Sequence, residues 1–111
     1  MPKTILGIDP GLAACGFGLV SSSAGQLGSI EYGCLATKKQ DGTLAERISC
    51  LNSGIGDLIK KYQPDCLAVE DIYFAKNVRS ALDVAKVCGS FIAVGRQYDL
   101  ETFFYTPLQI K

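Results

Sequence analysis

The chain has 111 residues, room for one domain, and its 48% hydrophobic and 20% charged residues are the balance of an ordinary globular protein. Eleven basic and eleven acidic side chains cancel, and the pI is about 6.2, so any nucleic-acid binding must rest on basic groups gathered locally. Histidine is absent, which excludes Ser-His-Asp and Cys-His catalysis, and five scattered cysteines without a C-x-x-C pair argue against a zinc site and a disulfide framework. An odd number of cysteines in apolar settings predicts reduced, buried thiols and a cytoplasmic protein. No apolar run approaches the ~20 residues of a membrane span. Met1-Pro2-Lys3 leads straight into a strand-like segment, so no secretory signal is expected.

Ile5 to Asp9 reads as a first strand, broken at once by Pro10-Gly11. Cys15 to Ser22 reads as a second, and Glu31 to Thr37 as part of a third that begins near Gln26. The Ser- and Gly-rich stretch between them predicts a tight turn and an antiparallel meander. From Leu44 the period changes: Leu44, Ile48, Leu51, Ile55, Leu58, Ile59 and Tyr62 mark one face of a helix. Thr43 and Glu46 have the spacing of a capping box. Gly54 and Gly56 weaken that helix by roughly 1 kcal/mol each relative to Ala, so they either permit close packing or mark a bend. Pro64 follows its end.

"CLAVE", Cys66 to Glu70, is a short continuous apolar run, which predicts a central strand buried on both faces. The mixed segment "DIYFAKN" reads as a loop. A second helix is expected from Val78 to about Tyr98, with Asn77 as its N-cap. Its small-residue face (Ala81, Leu82, Ala85, Cys88, Gly89, Ile92) either packs on the sheet or pairs with its own copy in a dimer. "ETFFYTP" completes a fifth strand, stopped by Pro107. The order βββαβαβ predicts an α/β fold with a mixed sheet in a single domain over residues 1–111.

Two of these strands end in an acid, Asp9 and Glu70. If the strands are parallel neighbours, their ends lie on one edge, about 4.8 Å apart, close enough for both carboxylates to share one cation. Paired carboxylates repel and resist ionisation, and a bound Mg²⁺ relieves that conflict because it prefers oxygen ligands. Gly16 and Gly18 keep the facing hairpin free of bulk where a phosphate backbone would approach. Taken alone, an Asp before Pro-Gly is a turn former and a Glu at a strand end is a solvated edge; the pair at two apolar strand ends favours the metal.

"GIDPGLAACGFG", "YQPDCLAVEDIYFAKN", "VRSALDVAKVCG" and "YTPLQIK", in this order, resemble the RuvC-type Holliday junction resolvases of bacteria, over essentially the whole chain. The resemblance implies an RNase H-like five-stranded sheet, three strands antiparallel and two parallel, flanked by helices. It implies a homodimeric, divalent-metal endonuclease that cuts four-way DNA junctions symmetrically and works with a branch-migration motor in recombination and repair. Asp9 and Glu70 match the family's first two acidic ligands for Mg²⁺, with Mn²⁺ as a substitute. Tyr73 and Phe74 match its aromatic segment near the junction centre. Lys76 with Asn77 matches a DNA-contacting loop, and Lys111 a basic residue near the scissile phosphate. The family's remaining acids lie on a later helix, so the resemblance implies a domain cut short at its C-terminus that holds half of the carboxylate set and does not cut by itself. Two other classes are weighed against it: a junction-binding module without catalysis, and a phosphate-cradling ATPase of the actin-like or sugar-kinase kind, which shares the D-x-G opening.

Overall fold

Three strands arise from the β-branched and apolar runs at the start of the chain: β1 (Lys3–Asp9), β2 (Ala14–Ser23) and β3 (Gln26–Ala36). The computed structural model describes residues 3–71 and 78–105. Ala24 and Gly25 join β2 to β3 with φ of 54° and 79°, the left-handed pair that a two-residue hairpin turn needs to match strand twist. A 3₁₀ turn (Lys39–Asp41) then leads into α1 (Leu44–Tyr62). The capping box is present: the Glu46 amide donates to Thr43 Oγ1 at 3.2 Å, and the Thr43 amide to Glu46 Oε1 at 2.9 Å. Gln63 closes α1 in the left-handed region, donating its amide to the Ile59 carbonyl, and Pro64 prevents its continuation. Strand β4 (Cys66–Glu70), helix α2 (Val78–Gln97) and strand β5 (Glu101–Tyr105) complete the order.

The sheet runs β3-β2-β1-β4-β5, antiparallel through the first three strands and parallel from β1 to β4 to β5. This is the mixed five-stranded architecture that the sequence pattern predicts. Both helices cover one face. Leu6, Ile8, Leu19, Leu67 and Val69 point into it and are fully buried with Leu51 and Ile55 of α1 and Val87 and Phe91 of α2. Close approach explains the α1 glycines. A Cβ at Gly54 would lie 2.8 Å from the Leu35 side chain, and one at Gly56 would lie 2.9 Å from the Tyr98 hydroxyl.

Two expectations, for β4 and for the cysteines, are corrected, and one of the two readings of the α2 face is set aside. Strand β4 is central but not buried on both faces: Leu67 and Val69 are buried, whereas Cys66, Ala68 and Glu70 alternate onto the opposite face and are half-buried. No described element covers that face. The small-residue face of α2 does not pack on the sheet, because Leu82, Ala85, Gly89 and Ile92 are solvent-exposed while Val87, Cys88, Phe91 and Val94 form the buried stripe. The cysteines are all free, but only Cys15 and Cys88 are buried, and Cys34 and Cys50 are exposed. Short apolar sequence context does not distinguish the covered side of a strand or helix from the uncovered one.

A clasp at the foot of β1 and β4 fixes their register. The Thr4 amide donates to Asp65 Oδ2 and the Asp65 amide donates to the Thr4 carbonyl, each at 2.7 Å. The parallel pairs then run from Ile5–Cys66 to Ile8–Val69. Asp65→Ala leaves this exposed amide to water, so we expect a loss of roughly 0.5–1.5 kcal/mol in urea unfolding, with Asp65→Asn losing less. Equal stability of Asp65→Ala and the parent chain would remove the clasp from the account.

Candidate active site

The step after the Ile8–Val69 pair places Asp9 beside Glu70, on the face opposite the helices. Their neighbours across the sheet are Gly16, paired with Asp9, and Tyr105, paired with Glu70. One row therefore reads Gly16, Asp9, Glu70, Tyr105. Sequence reasoning brings the two acids together, and the structure does so at the ends of adjacent parallel strands. At Gly16 a Cβ would meet only the Asp9 Cβ at 3.7 Å, and at Gly18 it would meet nothing within 4 Å. Internal packing thus leaves both positions roomy, and their bareness keeps the sheet surface beside Asp9 flat.

Glu70 is held above the ordinary carboxylate range. Partial burial is the main cause; the hydrogen bond with Asp9 and the Asp9 charge add to it. The Tyr105 hydroxyl is also raised, by burial first and then by the charges of Glu70 and Asp9. Cys88, inside the helical face, lies 4.0 Å from the Glu70 carbonyl, and burial pushes its thiol up to about 11. Two carboxylates side by side, Asp9 exposed and Glu70 half-buried, are a donor set suited to a hard divalent cation. Among the described residues no group of three or more His, Cys, Asp or Glu converges on a metal position, so these residues supply two ligands.

The turn that follows Asp9 is held from α1. The Thr37 hydroxyl donates to the Leu12 carbonyl at 2.6 Å, and the Thr37 amide to the Ala13 carbonyl at 3.0 Å. Arg47 donates from Nε to Thr37 Oγ1 at 2.9 Å and from Nη2 to the Thr37 carbonyl at 3.3 Å. Thr37 is the one buried polar side chain among the described residues. Gly11 is required here, since a Cβ would collide with the Ala14 carbonyl oxygen. Sequence reasoning missed this brace because Arg47 and Thr37 carry no motif; their partners are backbone atoms chosen by the fold. It also missed Tyr105, whose alignment with Glu70 depends on the β4–β5 register. Tyr73, Phe74, Lys76, Asn77 and Lys111 lie outside the described residues.

Two outcomes are expected. Thr37→Val leaves the Leu12 carbonyl without its donor and should lower stability by about 1–3 kcal/mol in urea unfolding. A raised Glu70 pKa favours the protonated fold, so its contribution is complete below the ordinary value of 4.5 and is lost as pH rises through the raised value. Glu70→Gln should therefore raise the melting temperature of the metal-free chain at pH 7, with the gain closing as pH falls toward about 4. A gain independent of pH would show that carboxylate repulsion is not its source.

Known proteins now bear on this geometry. The family model described as crossover junction endodeoxyribonuclease RuvC matches residues 5–111. The crossover junction endodeoxyribonuclease RuvC of Desulforamulus reducens is 43% identical over 107 residues, covering 96% of this chain. The chain spans 65% of that relative's length. In fold it is similar to Thermus thermophilus RuvC in complex with a Holliday junction substrate, with a TM-score of 0.87 and 21% identity over 98% of this chain and 68% of that one. The Aquifex aeolicus PPX-GPPA enzyme shares the fold more distantly, with a TM-score of 0.57 and 17% identity over 98% of this chain and 38% of the enzyme. With the family model running from β1 to the last residue, and a five-stranded sheet of matching topology, the chain belongs to the RuvC family of crossover junction endodeoxyribonucleases, with an RNase H-like fold.

Proposed function

We propose that this chain carries part of the catalytic centre of a structure-selective endonuclease that resolves four-way (Holliday) DNA junctions by symmetric phosphodiester hydrolysis during recombination and repair. The observation that carries this reading is the Asp9–Glu70 pair on the sheet face opposite the helices, in a member of the RuvC family. Nucleases of this family are metal-dependent, and we assign Mg²⁺, with Mn²⁺ as a substitute, to Asp9 and Glu70. A divalent ion bound there supplies Lewis acidity and a water of lowered pKa. Asp9, on the central strand, faces the bare Gly16 and Gly18 surface along which a phosphate backbone has room to lie. Glu70 must lose its proton to become a ligand, so metal affinity should rise with pH through its elevated pKa.

The whole protein's partners belong to the same proposal: four-way junction DNA, a second copy of the chain, and a branch-migration motor. The exposed small-residue face of α2 supports the homodimer, since it leaves an apolar stripe without an intramolecular partner among the described residues. Tyr73 and Phe74 are assigned to stacking at the junction centre. Lys76 and Asn77 are assigned to a DNA-contacting loop, and Lys111 to the neighbourhood of the scissile phosphate. No helix among the described residues is long and apolar enough to cross a membrane, and the location we propose is the bacterial cytoplasm. The second reading is a junction-binding module without catalysis, with the ATPase class behind it; the distant likeness to the PPX-GPPA enzyme is a likeness of fold alone.

The test is Mg²⁺-dependent cleavage of a synthetic four-way junction, with linear duplex as control, by this chain and by a form extended to the relatives' length. The extended form should make paired symmetric nicks in the junction alone. Asp9→Asn in that form should abolish cutting while junction binding survives, and ATP binding should be absent. Cutting by Asp9→Asn, or nucleotide binding without cutting, overturns the reading.

A further inference from the structure

Ionised carboxylates only accept hydrogen bonds, so Asp9 and Glu70, side by side at the ends of β1 and β4, cannot orient one another once both hold a cation. The next side chain along the row is Tyr105, paired with Glu70 in the β4–β5 register and therefore on the same face. Its backbone is fixed at this level, because the Asp71 amide donates to the Tyr105 carbonyl at 2.6 Å. Its ring is half-buried, while Phe103, two residues earlier on the same face, is 51% exposed. Its hydroxyl lies within the field of both carboxylates. A phenol stays protonated near neutral pH and is a hydrogen-bond donor.

We propose that Tyr105 is the positioning residue for Glu70, donating its phenolic hydrogen to the Glu70 carboxylate when Asp9 and Glu70 hold a divalent cation. This rests on the reading of the pair as a metal site. Tyr105 acts through Glu70, restricting the carboxylate to orientations that leave an oxygen toward Asp9. Strand β5 thereby has a role besides closing the sheet: its last residue presents a donor beside the acid pair. Hydrogen bonds to ligating carboxylates of this kind are worth about 10–100-fold in metal affinity or activity.

The experiment is titration of the metal-free chain with Mn²⁺, following the electron paramagnetic resonance signal of the free ion, alongside thermal melting in EDTA. Tyr105→Phe keeps the ring and removes only the donor. It should weaken Mn²⁺ binding by about 10-fold or more while leaving the melting temperature unchanged. Phe103→Leu, on the same strand and face, should leave Mn²⁺ affinity unchanged. If Tyr105→Phe binds Mn²⁺ as the parent does while Asp9→Asn does not bind, the role of Tyr105 falls and the metal site stands. An equal loss in Phe103→Leu would trace the effect to strand integrity and overturn the proposal as well. A parent chain that takes up no Mn²⁺ overturns the metal-site reading, and this inference with it.

Discussion

The parallel register of β1 on β4 is the constraint on which the site depends. A strand alternates its side chains with a period of two, so a slip of one residue would send Asp9 to the helical face and leave Glu70 beside a neighbour from the core. The register is held at the far end by the Thr4–Asp65 clasp and along its length by Leu6, Ile8, Leu67 and Val69, which lose all solvent contact only in the observed pairing. Thr4 to Asp9 and Asp65 to Glu70 are equal steps. The clasp at one end therefore sets the acid pair at the other, and hydrophobic burial between them makes the alternatives costly.

The same alternation divides the sheet into a packed side and a working side. Helices α1 and α2 both lie on the packed side, where Phe91, Leu51 and Ile55 are fully buried against the sheet. The working side carries small or flat positions, Gly7, Gly16, Gly18 and Ala68, beside two acids that repel one another when ionised. Such a pair weakens the empty fold near neutral pH, and the core opposite offsets the cost. Arg47 ties α1 to the turn after β1. Rooted in α1, it reaches Thr37 and through it the carbonyl of Leu12, so the helix that fills the core also steadies the bend that ends β1.

Much of this is legible in the sequence, for definite reasons. Thr43 and Glu46 mark the start of α1 because their capping bonds are local, and Pro64 marks its end because proline lacks an amide hydrogen. Strands β1 and β4 show themselves as apolar runs, each ending in an acid. What the sequence conceals is long-range. Ala68 and Leu67 are both apolar, yet one faces the helices and the other the open side. Leu82 and Ile92 read as packing residues until α2 is placed with Val87 and Phe91 inward. Tyr105 gains its meaning only from the residue it lies beside, and the loops before β5 decide that neighbour. Thr37 and Arg47 act on backbone atoms, which leave no signature in residue type.

The acid pair also has a history within folding. The β1–β2–β3 meander is built from neighbours in sequence, whereas the clasp of β1 on β4 joins residues 61 apart, with α1 between them. Closing so long a loop is entropically costly and is repaid only when the ladder and the core form together. Before that moment Asp9 and Glu70 are two unrelated acids on a mobile chain. An ion that needs both has no preformed site in the unfolded ensemble, so its binding free energy adds to the stability of the native state by mass action. Cation concentration and folding equilibrium are thereby linked, and the chemistry of the site appears in step with the fold.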